Sequence, residues 1–245
     1  MQIRNCSKHL AALAVLSALA GGWAAPAHAG IIVGATRIIY HELDHEASVS
    51  IRDADTQPFV VQAWADGAAA KDAKAPFFVT PPLSRLDPGK QNVLRIMRAQ
   101  GALPKDRESM SWLNVKEIPE AVSGKNVLQI AVRTRVKIFY RPDGLSGNPD
   151  DAPKQLQWRV SPAADGKGEI LKVHNPTPYY VTFSEVHAGA GARMENLDKL
   201  EYVPPLSDAQ ATLTQATGKA PVQVNYSTIN DFGAFSKPVT VHASS

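Results

Sequence analysis

The chain has 245 residues, of which 44% are hydrophobic and 20% are charged, and its formal net charge is +3. A charge this close to neutral gives no support for a nucleic-acid-binding protein, and the length allows two domains of about 100 residues each. Its single cysteine, Cys6, excludes an intramolecular disulfide framework, so packed cores must supply the stability.

The first 29 residues have the pattern of a secretory signal peptide. Arg4 and Lys8 precede the apolar run Leu10–Ala20, which is followed by the small-x-small cleavage motif Ala27–Ala29. The run is shorter than the about 20 residues that span a bilayer, so we expect residues 1–29 to be removed and the mature protein to be soluble. A retained N-terminal anchor is the alternative. Removal takes away two of the 26 basic residues and none of the 23 acidic ones, which lowers the formal charge from +3 to +1.

The rest of the chain alternates short β-rich runs with clusters of Gly, Pro and Asp, a pattern typical of β-sandwiches. The predicted strands are Ile31–Tyr40, Ala47–Arg52, Phe59–Trp64, Asn92–Met97, Ser111–Val115, Ile170–His174, Tyr179–Phe183 and Val222–Ile229. The segment Arg141–Lys154, with three prolines and two glycines, is the best candidate for a linker. The sequence therefore predicts an all-β protein with one domain over residues 30–147 and another over residues 148–245.

One predicted strand is unusually long. Asn126–Tyr140 runs for fifteen residues without Gly or Pro, whereas typical strands have about 5–6 residues. Leu128, Ile130 and Val132 begin a row of apolar side chains at every second position. On pattern alone the row is that of a core strand with one buried face, and the alternative is an apolar edge offered to a partner strand. Periodicity alone does not separate the two interpretations.

Residues 41–45 read H-E-L-D-H, the H-E-x-x-H pattern of zinc proteases. In those enzymes a helix places both histidines on one face, but here strand-like runs flank the motif on both sides. The sequence therefore predicts a solvated turn, with a zinc hydrolase built on His41, Glu42 and His45 as the alternative. The G-x-S-x-G, G-x-G-x-x-G and P-loop motifs are absent, so we expect no catalytic residue, no cofactor, no metal and no small-molecule substrate.

The segment Leu103–Pro119 (LPKDRESMSWLNVKEIP) resembles the signature of the periplasmic pilus chaperones of the chaperone–usher pathway. Its matching positions are Leu103-Pro104, Asp106–Ser109, Trp112, Asn114-Val115 and Ile118-Pro119. Further matches lie at Thr36-Arg37, Thr80–Pro82, Phe139–Pro142, Asn175–Tyr180 and Ile229–Gly233. The resemblance thus extends over most of the mature chain.

The resemblance implies two immunoglobulin-like β-sandwich domains set at an angle with a cleft between them. It implies a periplasmic, non-enzymatic chaperone that lends its Asn126–Tyr140 strand to pilus subunits and delivers them to an outer-membrane usher. In this interpretation Leu128, Ile130 and Val132 fill the groove of an incomplete subunit. An uncapped apolar strand also favours self-association of the free protein.

The resemblance also assigns roles to charged residues. Arg37 and Lys137 match the two cations that grip the C-terminal carboxylate of the subunit and so fix the register of the docked strand. Glu108, Arg141 and Asp231 match a charged network between the domains, which is expected to hold the cleft angle.

The connection Glu120–Lys125 is short and resembles the short-loop branch of the family, which is associated with thick, rod-like pili. A secreted immunoglobulin-like adhesion or carbohydrate-binding module is the alternative function, and it would leave Arg37 and Lys137 without a special role. An unrelated structural sandwich, without a partner, is a third interpretation.

Overall fold

The structure is a computed structural model that describes residues 30–68, 74–99, 101–120, 128–164, 168–191, 193–214 and 221–244. These residues form seventeen strands and one short 3-10 helix. The strands make two β-sandwiches, one over residues 31–141 and one over residues 157–242. The predicted all-β class with two immunoglobulin-like sandwiches is confirmed.

Nine strands form the first sandwich: β1 (Ile31–Val33), β2 (Arg37–His41), β3 (Ala47–Asp53), β4 (Phe59–Gly67), β5 (Phe77–Thr80), β6 (Leu83–Leu86), β7 (Gln91–Arg98), β8 (Ser109–Pro119) and β9 (Arg133–Arg141). One sheet has the order β1-β3-β7-β5 and the other has the order β2-β9-β8-β4-β6. All neighbouring strands are antiparallel except β2 and β9, which are parallel. The strand β2 is therefore at the edge of the five-stranded sheet, beside β9.

The core of this sandwich is filled by side chains that alternate along the strands, because successive residues of a strand point to opposite faces. On β9 the inward side chains are Val136, Ile138 and Tyr140, which are 3%, 0% and 1% exposed. Leu94 and Ile96 of β7 belong to the same buried cluster. The even positions of β9 therefore face the core, and its odd positions face outward.

The chain changes sheets between β1 and β2. The strand β1 pairs with β3 in one sheet, whereas β2 pairs with β9 in the other. Gly34 lies at the change, where its N–H donates to the Ser50 carbonyl (2.8 Å) and a Cβ atom would lie 2.2 Å from the Ser50 Oγ. The prediction of one strand over Ile31–Tyr40 is therefore wrong, because the backbone leaves its first partner at this close contact.

The strand β9 is shorter than the sequence predicts. The prediction was one strand over Asn126–Tyr140, but β9 covers Arg133–Arg141. Residues 128–132 belong to no strand, and residues 126 and 127 lie outside the described part of the chain. A strand requires a neighbour for its backbone groups, and the contact with β8 ends one residue before β9, where the Glu117 N–H donates to the Val132 carbonyl (3.0 Å).

The strand β9 has neighbours on both sides over only half of its length. The strand β8 pairs with residues 133–140, whereas β2 pairs with β9 only from Lys137 onward. Within the described part of the chain, the side of β9 that faces away from β8 is therefore open at residues 133–136. An open strand edge presents unpaired N–H and C=O groups that another chain can bind.

Eight strands form the second sandwich: β10 (Gln157–Pro162), β11 (Glu169–Asn175), β12 (Val181–Ala190), β13 (Arg193–Asn196), β14 (Tyr202–Val203), β15 (Ser207–Leu213), β16 (Gln223–Thr228) and β17 (Val239–His242). One sheet has the order β10-β11-β15, and the other has the order β13-β12-β16-β17 with β14 also paired to β12. The rings of Trp158, Phe183 and Tyr226 pack against one another in its core, with centroids 5.5–5.9 Å apart.

The predicted linker is partly ordered by packing on the second sandwich. Arg141 ends β9, and the 3-10 helix Pro149–Gln155 occupies the second half of the segment. The side chain of Asn148 caps this helix by accepting a hydrogen bond from the Asp150 N–H (2.9 Å). Ala152 is fully buried, so this turn of helix belongs to the second core.

We expect Ile138→Ala to lower the free energy of unfolding by about 2–5 kcal/mol, because it leaves a cavity in the first core. Leu43→Ala is the control, since Leu43 is 75% exposed, and it should change the stability by less than about 0.5 kcal/mol. Urea unfolding measures both values. Equal stability of the two variants would show that this face of β9 does not line the core.

Candidate functional site

The outward side chains of β9 form a row that reaches the junction with the second sandwich. In chain order they are Arg133, Arg135, Lys137, Phe139 and Arg141. The ring of Phe139 packs against that of Tyr180 with centroids 5.4 Å apart, and the guanidinium of Arg141 lies 5.4 Å from the ring centre of Tyr179. Both tyrosines belong to the second sandwich, so the row lies in the cleft between the domains.

Arg37 and Lys137 are direct neighbours in this cleft. They are Cα partners in the parallel pair of β2 and β9. Arg37 Nη1 donates to the carbonyl of Ile229 at 2.7 Å, and the guanidinium lies 5.7 Å from the ring centre of Phe139. Burial lowers the pKa of Arg37, and the charges of Asp231 and Glu108 oppose that shift. The guanidinium is therefore a partly desolvated cation that the second sandwich holds in place.

The ammonium of Lys137 lies between two aromatic rings. Its Nζ atom is 5.5 Å from the ring centre of Trp112 and 5.1 Å from that of Tyr202. Burial lowers the pKa of Lys137, the charge of Glu201 opposes the shift, and Arg37 adds to it. Aromatic faces attract a cation by about 0.5–2 kcal/mol without neutralising it. Lys137 is thus held in position while its charge can still bind an anion.

Three charged residues join the two sandwiches. Arg141 Nε donates to Glu108 Oε1 at 2.7 Å, and its two terminal nitrogens donate to the Asp231 carboxylate at 2.7 and 3.1 Å. The Glu108 and Arg141 side chains are only 2% and 13% exposed. The structure therefore brings the predicted set Glu108, Arg141 and Asp231 together as one hydrogen-bonded group across the junction.

Glu108 also binds the backbone of the second sandwich. Its N–H donates to the carbonyl of Pro178 (2.9 Å), and its Oε2 accepts from the N–H of Tyr180 (2.7 Å). Burial raises the pKa of Glu108, while Arg141 and the Tyr180 N–H oppose that shift. Burial lowers the pKa of Arg141, but the hydrogen bonds and charges of Asp231 and Glu108 outweigh burial. The pKa of Arg141 therefore lies above its ordinary value. Each charge of the group thus has a partner.

The apolar segment before β9 is exposed. Leu128, Ile130 and Val132 are 84%, 68% and 48% exposed, although they occupy even positions like the core residues Val136 and Ile138. The apolar row that fills the core within β9 therefore continues beyond it into solvent. Together with the open edge at residues 133–136, this segment offers both apolar side chains and backbone groups to a partner.

Sequence reasoning did not assign roles to Trp112, Tyr180 or Tyr202. The register places Trp112 directly opposite Lys137, so alternation along β8 could have identified it as a cleft residue. Tyr180 and Tyr202 come from the second sandwich, with their rings 5.9 Å apart. No sequence signal connects those two tyrosines to a strand of the first domain.

The H-E-x-x-H pattern lies in a turn, as predicted. His41 ends β2, and residues 42 and 43 form the turn that follows. Glu42 Oε2 accepts a hydrogen bond from the Asp143 N–H at 3.0 Å. That carboxylate therefore helps to hold the start of the connection between the domains.

Comparisons with known proteins identify the family. Residues 30–146 match the family model described as the PapD N-terminal domain of pili and flagellar-assembly chaperones. Residues 151–240 match the C-terminal domain of the pili assembly chaperone PapD. The chain belongs to the PapD family of pilus chaperones. The two matched segments account for both sandwiches of the fold.

Similar proteins of two bacteria carry names from the same family. The probable fimbrial chaperone YadV of Escherichia coli (strain K12) is 38% identical over 238 residues, which are 93% of this chain and 95% of that protein. The chaperone protein LpfB of Salmonella typhimurium is 40% identical over 233 residues, 94% of this chain and 92% of that protein.

Solved structures of the family have the same fold. The crystal structure of the YadV chaperone has a TM-score of 0.75 and 38% identity, and the match covers 87% of this chain and all of that one. The SafB chaperone of Salmonella enterica, in complex with the SafA pilin, has a TM-score of 0.75 and 33% identity over 89% of this chain and 98% of that one.

We expect Arg141→Ala to destabilise the protein by about 3–5 kcal/mol, because it leaves the buried Glu108 without its cation. In the wild type Arg141 opposes the burial that raises the pKa of Glu108, so its removal lets burial raise that pKa further above the ordinary value of 4.5. A carboxyl group whose pKa is higher in the folded than in the unfolded state favours folding when it is protonated. This contribution to stability is complete below the pKa of the unfolded state and is lost as the pH rises through the pKa of the folded state. The deficit relative to the wild type should therefore shrink as the pH falls from about 8 to about 5.

Urea unfolding over this pH range measures the effect. Glu108→Gln/Arg141→Ala is the control, since it removes both charges and should restore part of the lost stability with little pH dependence. A deficit of Arg141→Ala that does not change with pH would contradict the assigned pairing.

Proposed function

We propose that this protein is a periplasmic chaperone that binds pilus subunits through the open edge of β9 and delivers them to an outer-membrane usher. The observation that carries the proposal is an open, apolar strand edge that ends beside two partly buried cations. Relatives named fimbrial chaperones, and the SafB chaperone in complex with its pilin, support the same function. They do not favour the alternative of an adhesion or carbohydrate-binding module.

A subunit that lacks one of its own strands has an open groove and unpaired backbone groups, and both are costly in water. The backbone of β9 at residues 133–136 offers it hydrogen bonds along the open edge. Leu128, Ile130 and Val132 would enter the groove, and full burial of such side chains stabilises a complex by about 1.5–3 kcal/mol each. Because strand pairing and apolar burial supply the free energy, the protein needs neither catalysis nor a cofactor for this task.

Arg37 and Lys137 would bind the C-terminal carboxylate of the subunit. A guanidinium binds a carboxylate through two hydrogen bonds, and the adjacent ammonium adds a second positive charge. Both cations already lie in a partly desolvated cleft, where an ion pair is stronger than in open water. Because a shift by one residue would turn the wrong side chains into the groove, this anchor sets the register.

The group formed by Glu108, Arg141 and Asp231 would hold the cleft at a fixed angle. The charges of Glu108 and Asp231 act on Arg37, but the hydrogen bonds of both carboxylates go to Arg141. The anchor cations are consequently left for the subunit.

The sequence features of the chain ends and connections complete the proposal. A signal peptide over residues 1–29 would direct the protein to the periplasm, and the two domains would meet near residue 148. No helix within the described part of the chain is long and apolar enough to cross a membrane.

Assignment to the short-loop branch rests on Glu120–Lys125, a connection that lies almost entirely outside the described residues. Self-association through the exposed segment before β9 also stays a prediction.

We expect Arg37→Ala and Lys137→Ala to lose subunit binding while keeping the fold. Removing one member of a buried ionic contact typically costs about 2–5 kcal/mol, which weakens binding by about 30-fold or more. Co-purification of a coexpressed pilus subunit with the tagged chaperone measures the loss. Arg52→Ala is the matched control, because Arg52 is exposed on β3 in the other sheet. Normal subunit yield from both cleft variants would exclude the carboxylate anchor.

We expect subunit affinity to depend on alkaline pH through Lys137. Burial places the pKa of Lys137 below its ordinary value of 10.5, so the free chaperone loses this charge as the pH rises through the lowered value. Since only the ammonium attracts a carboxylate, affinity should then fall by up to about tenfold per pH unit. Titrations from pH 7 to about pH 10 measure this dependence.

Lys137→Arg provides the comparison, because an arginine side chain stays charged throughout this range. Its affinity should fall less steeply than that of the wild type, while the exposed Lys90→Arg should follow the wild type. Parallel curves for all three proteins would exclude Lys137 as the titrating group.

A further inference from the structure

A half-buried carboxylate near the start of the first sandwich has no cation beside it. Glu117 of β8 lies opposite Val61 of β4, and Val61 belongs to the buried core, so Glu117 is on the core-facing side of its sheet. Its Oε2 accepts a hydrogen bond from the Ile31 N–H at 2.7 Å. No lysine or arginine side chain within the described part of the chain is hydrogen-bonded to it. Because a charge that leaves water normally needs an opposite charge, Glu117 requires a further partner.

A second carboxylate lies beside the same short strand. Asp53 is the Cα partner of Ile31 in the pair of β1 and β3, and its side chain is fully buried. Its Oδ1 accepts from the Asp55 N–H (2.8 Å), whereas its Oδ2 is buried and has no hydrogen-bond partner among the described residues. Buried polar atoms are nearly always hydrogen-bonded in folded proteins. The two acids that flank Ile31 therefore both lack a donor.

Gly30 lies directly against the carboxylate of Glu117. A Cβ atom on Gly30 would lie 2.8 Å from Glu117 Oε1 and closer still to Oε2, so a larger residue does not fit here. The Gly30 carbonyl accepts from the Ala54 N–H (3.2 Å), which fixes this residue beside β3. The amino nitrogen of Gly30 is bonded to the same Cα atom, at about 1.5 Å, and therefore lies within about 5 Å of the carboxylate.

The predicted removal of the signal peptide changes the charge of this nitrogen. Hydrolysis of the Ala29–Gly30 peptide bond by a signal peptidase consumes one water, leaves a carboxylate on Ala29 and places a primary amine on Gly30. An α-amine has an ordinary pKa of about 8, so it takes up a proton at neutral pH. Cleavage therefore converts an uncharged amide into a cation with three N–H donors.

Building on the predicted cleavage after Ala29, we propose that the α-ammonium group of Gly30 binds the carboxylate of Glu117, with Asp53 as the second acid. The ion pair completes the end of the first sandwich, and the unprocessed chain cannot form it. The occupant of the site is the mature N-terminus of this chain, because Gly30 is the residue that lies against the carboxylate. The pair is also close to the apolar segment before β9, since the Glu117 N–H donates to the Val132 carbonyl (3.0 Å).

Thermal unfolding of the processed protein tests the pair. Glu117→Gln keeps an oxygen for the Ile31 N–H but removes the charge, and it should lower the unfolding midpoint by about 5 °C. Glu46→Gln is the matched control, because Glu46 pairs with Arg95 at 3.7 Å on the surface of the same sandwich, where ion pairs contribute little. Its midpoint should stay within about 1 °C of that of the wild type.

A chain with Thr-Gln inserted between Ala29 and Gly30 moves the ammonium group away from Glu117. Its midpoint should be about 5 °C below that of the wild type, and Glu117→Gln should cause no further loss in this chain. Mass spectrometry verifies the N-terminus of each protein. An equal loss from Glu117→Gln in both chains would overturn the inference, because Glu117 would then act without the ammonium group.

The reactivity of the α-amine gives a second readout that a merely structural role of Glu117 would not change. The charged residues near the amine are Glu117, Asp53, and Asp55 and Lys90 in the turns that contact Asp53. Acids outnumber bases among them, so the pKa of the amine should lie above its ordinary value of about 8. Labelling with acetic anhydride from pH 6 to about pH 10 measures it, and Glu117→Gln should move it back toward the ordinary value.

These outcomes are independent of subunit binding. Cleavage at a position other than Ala29–Gly30, or an α-amine pKa that Glu117→Gln leaves unchanged, would overturn the inference and leave the proposed function intact. Normal subunit yield from Arg37→Ala would instead count against the carboxylate anchor and would not affect the ion pair of Gly30.

Discussion

Between Val33 and Arg37 the chain leaves one sheet of the first sandwich for the other, and β9 consequently has two neighbours only from Lys137 onward. The free half of β9 and the apolar residues before it face solvent, although their alternation is that of a core strand. An ordinary sandwich would cover such an edge to prevent aggregation. Here the open edge ends at a cation pair, so the same break in pairing leaves half of β9 without a second neighbour and places Arg37 beside Lys137 where that half ends.

The charged residues of the cleft fall into two sets. Glu108, Arg141 and Asp231 are hydrogen-bonded to one another. Arg37 and Lys137 are instead held by a backbone carbonyl and by aromatic rings. Arg141 uses the carboxylates of both Glu108 and Asp231, whereas the Lys137 ammonium lies between the rings of Trp112 and Tyr202 and is also acted on by the charge of Glu201. A cation that is paired inside the protein would have to give up its partner before it could bind a subunit. Because Arg141 binds Glu108 and Asp231, Arg37 and Lys137 remain partly desolvated cations without a hydrogen-bonded carboxylate in the described part of the chain, as the proposed anchor requires.

The second sandwich is necessary for this arrangement. It supplies the Ile229 carbonyl that holds Arg37, the Tyr202 ring beside Lys137, and the backbone groups that bind Glu108. The 3-10 helix after the connection packs into the second core, which limits the freedom of the link between the domains. The second domain thus sets the environment of residues that the first domain contributes.

The sequence by itself determined the all-β class, the two domains and most strands, because alternation and turn residues are local signals. It also determined the family, because the segment 103–119 and the matching charged residues are fixed in the chain. Only the tertiary structure decided where strands end, since the predicted Ile31–Tyr40 strand changes its partner from β3 to β9 after Gly34, and β9 is ordered as a strand only where β8 lies beside it. It alone placed Ile229 beside Arg37 and Tyr202 beside Lys137, because burial and pairing depend on residues that are distant in the chain.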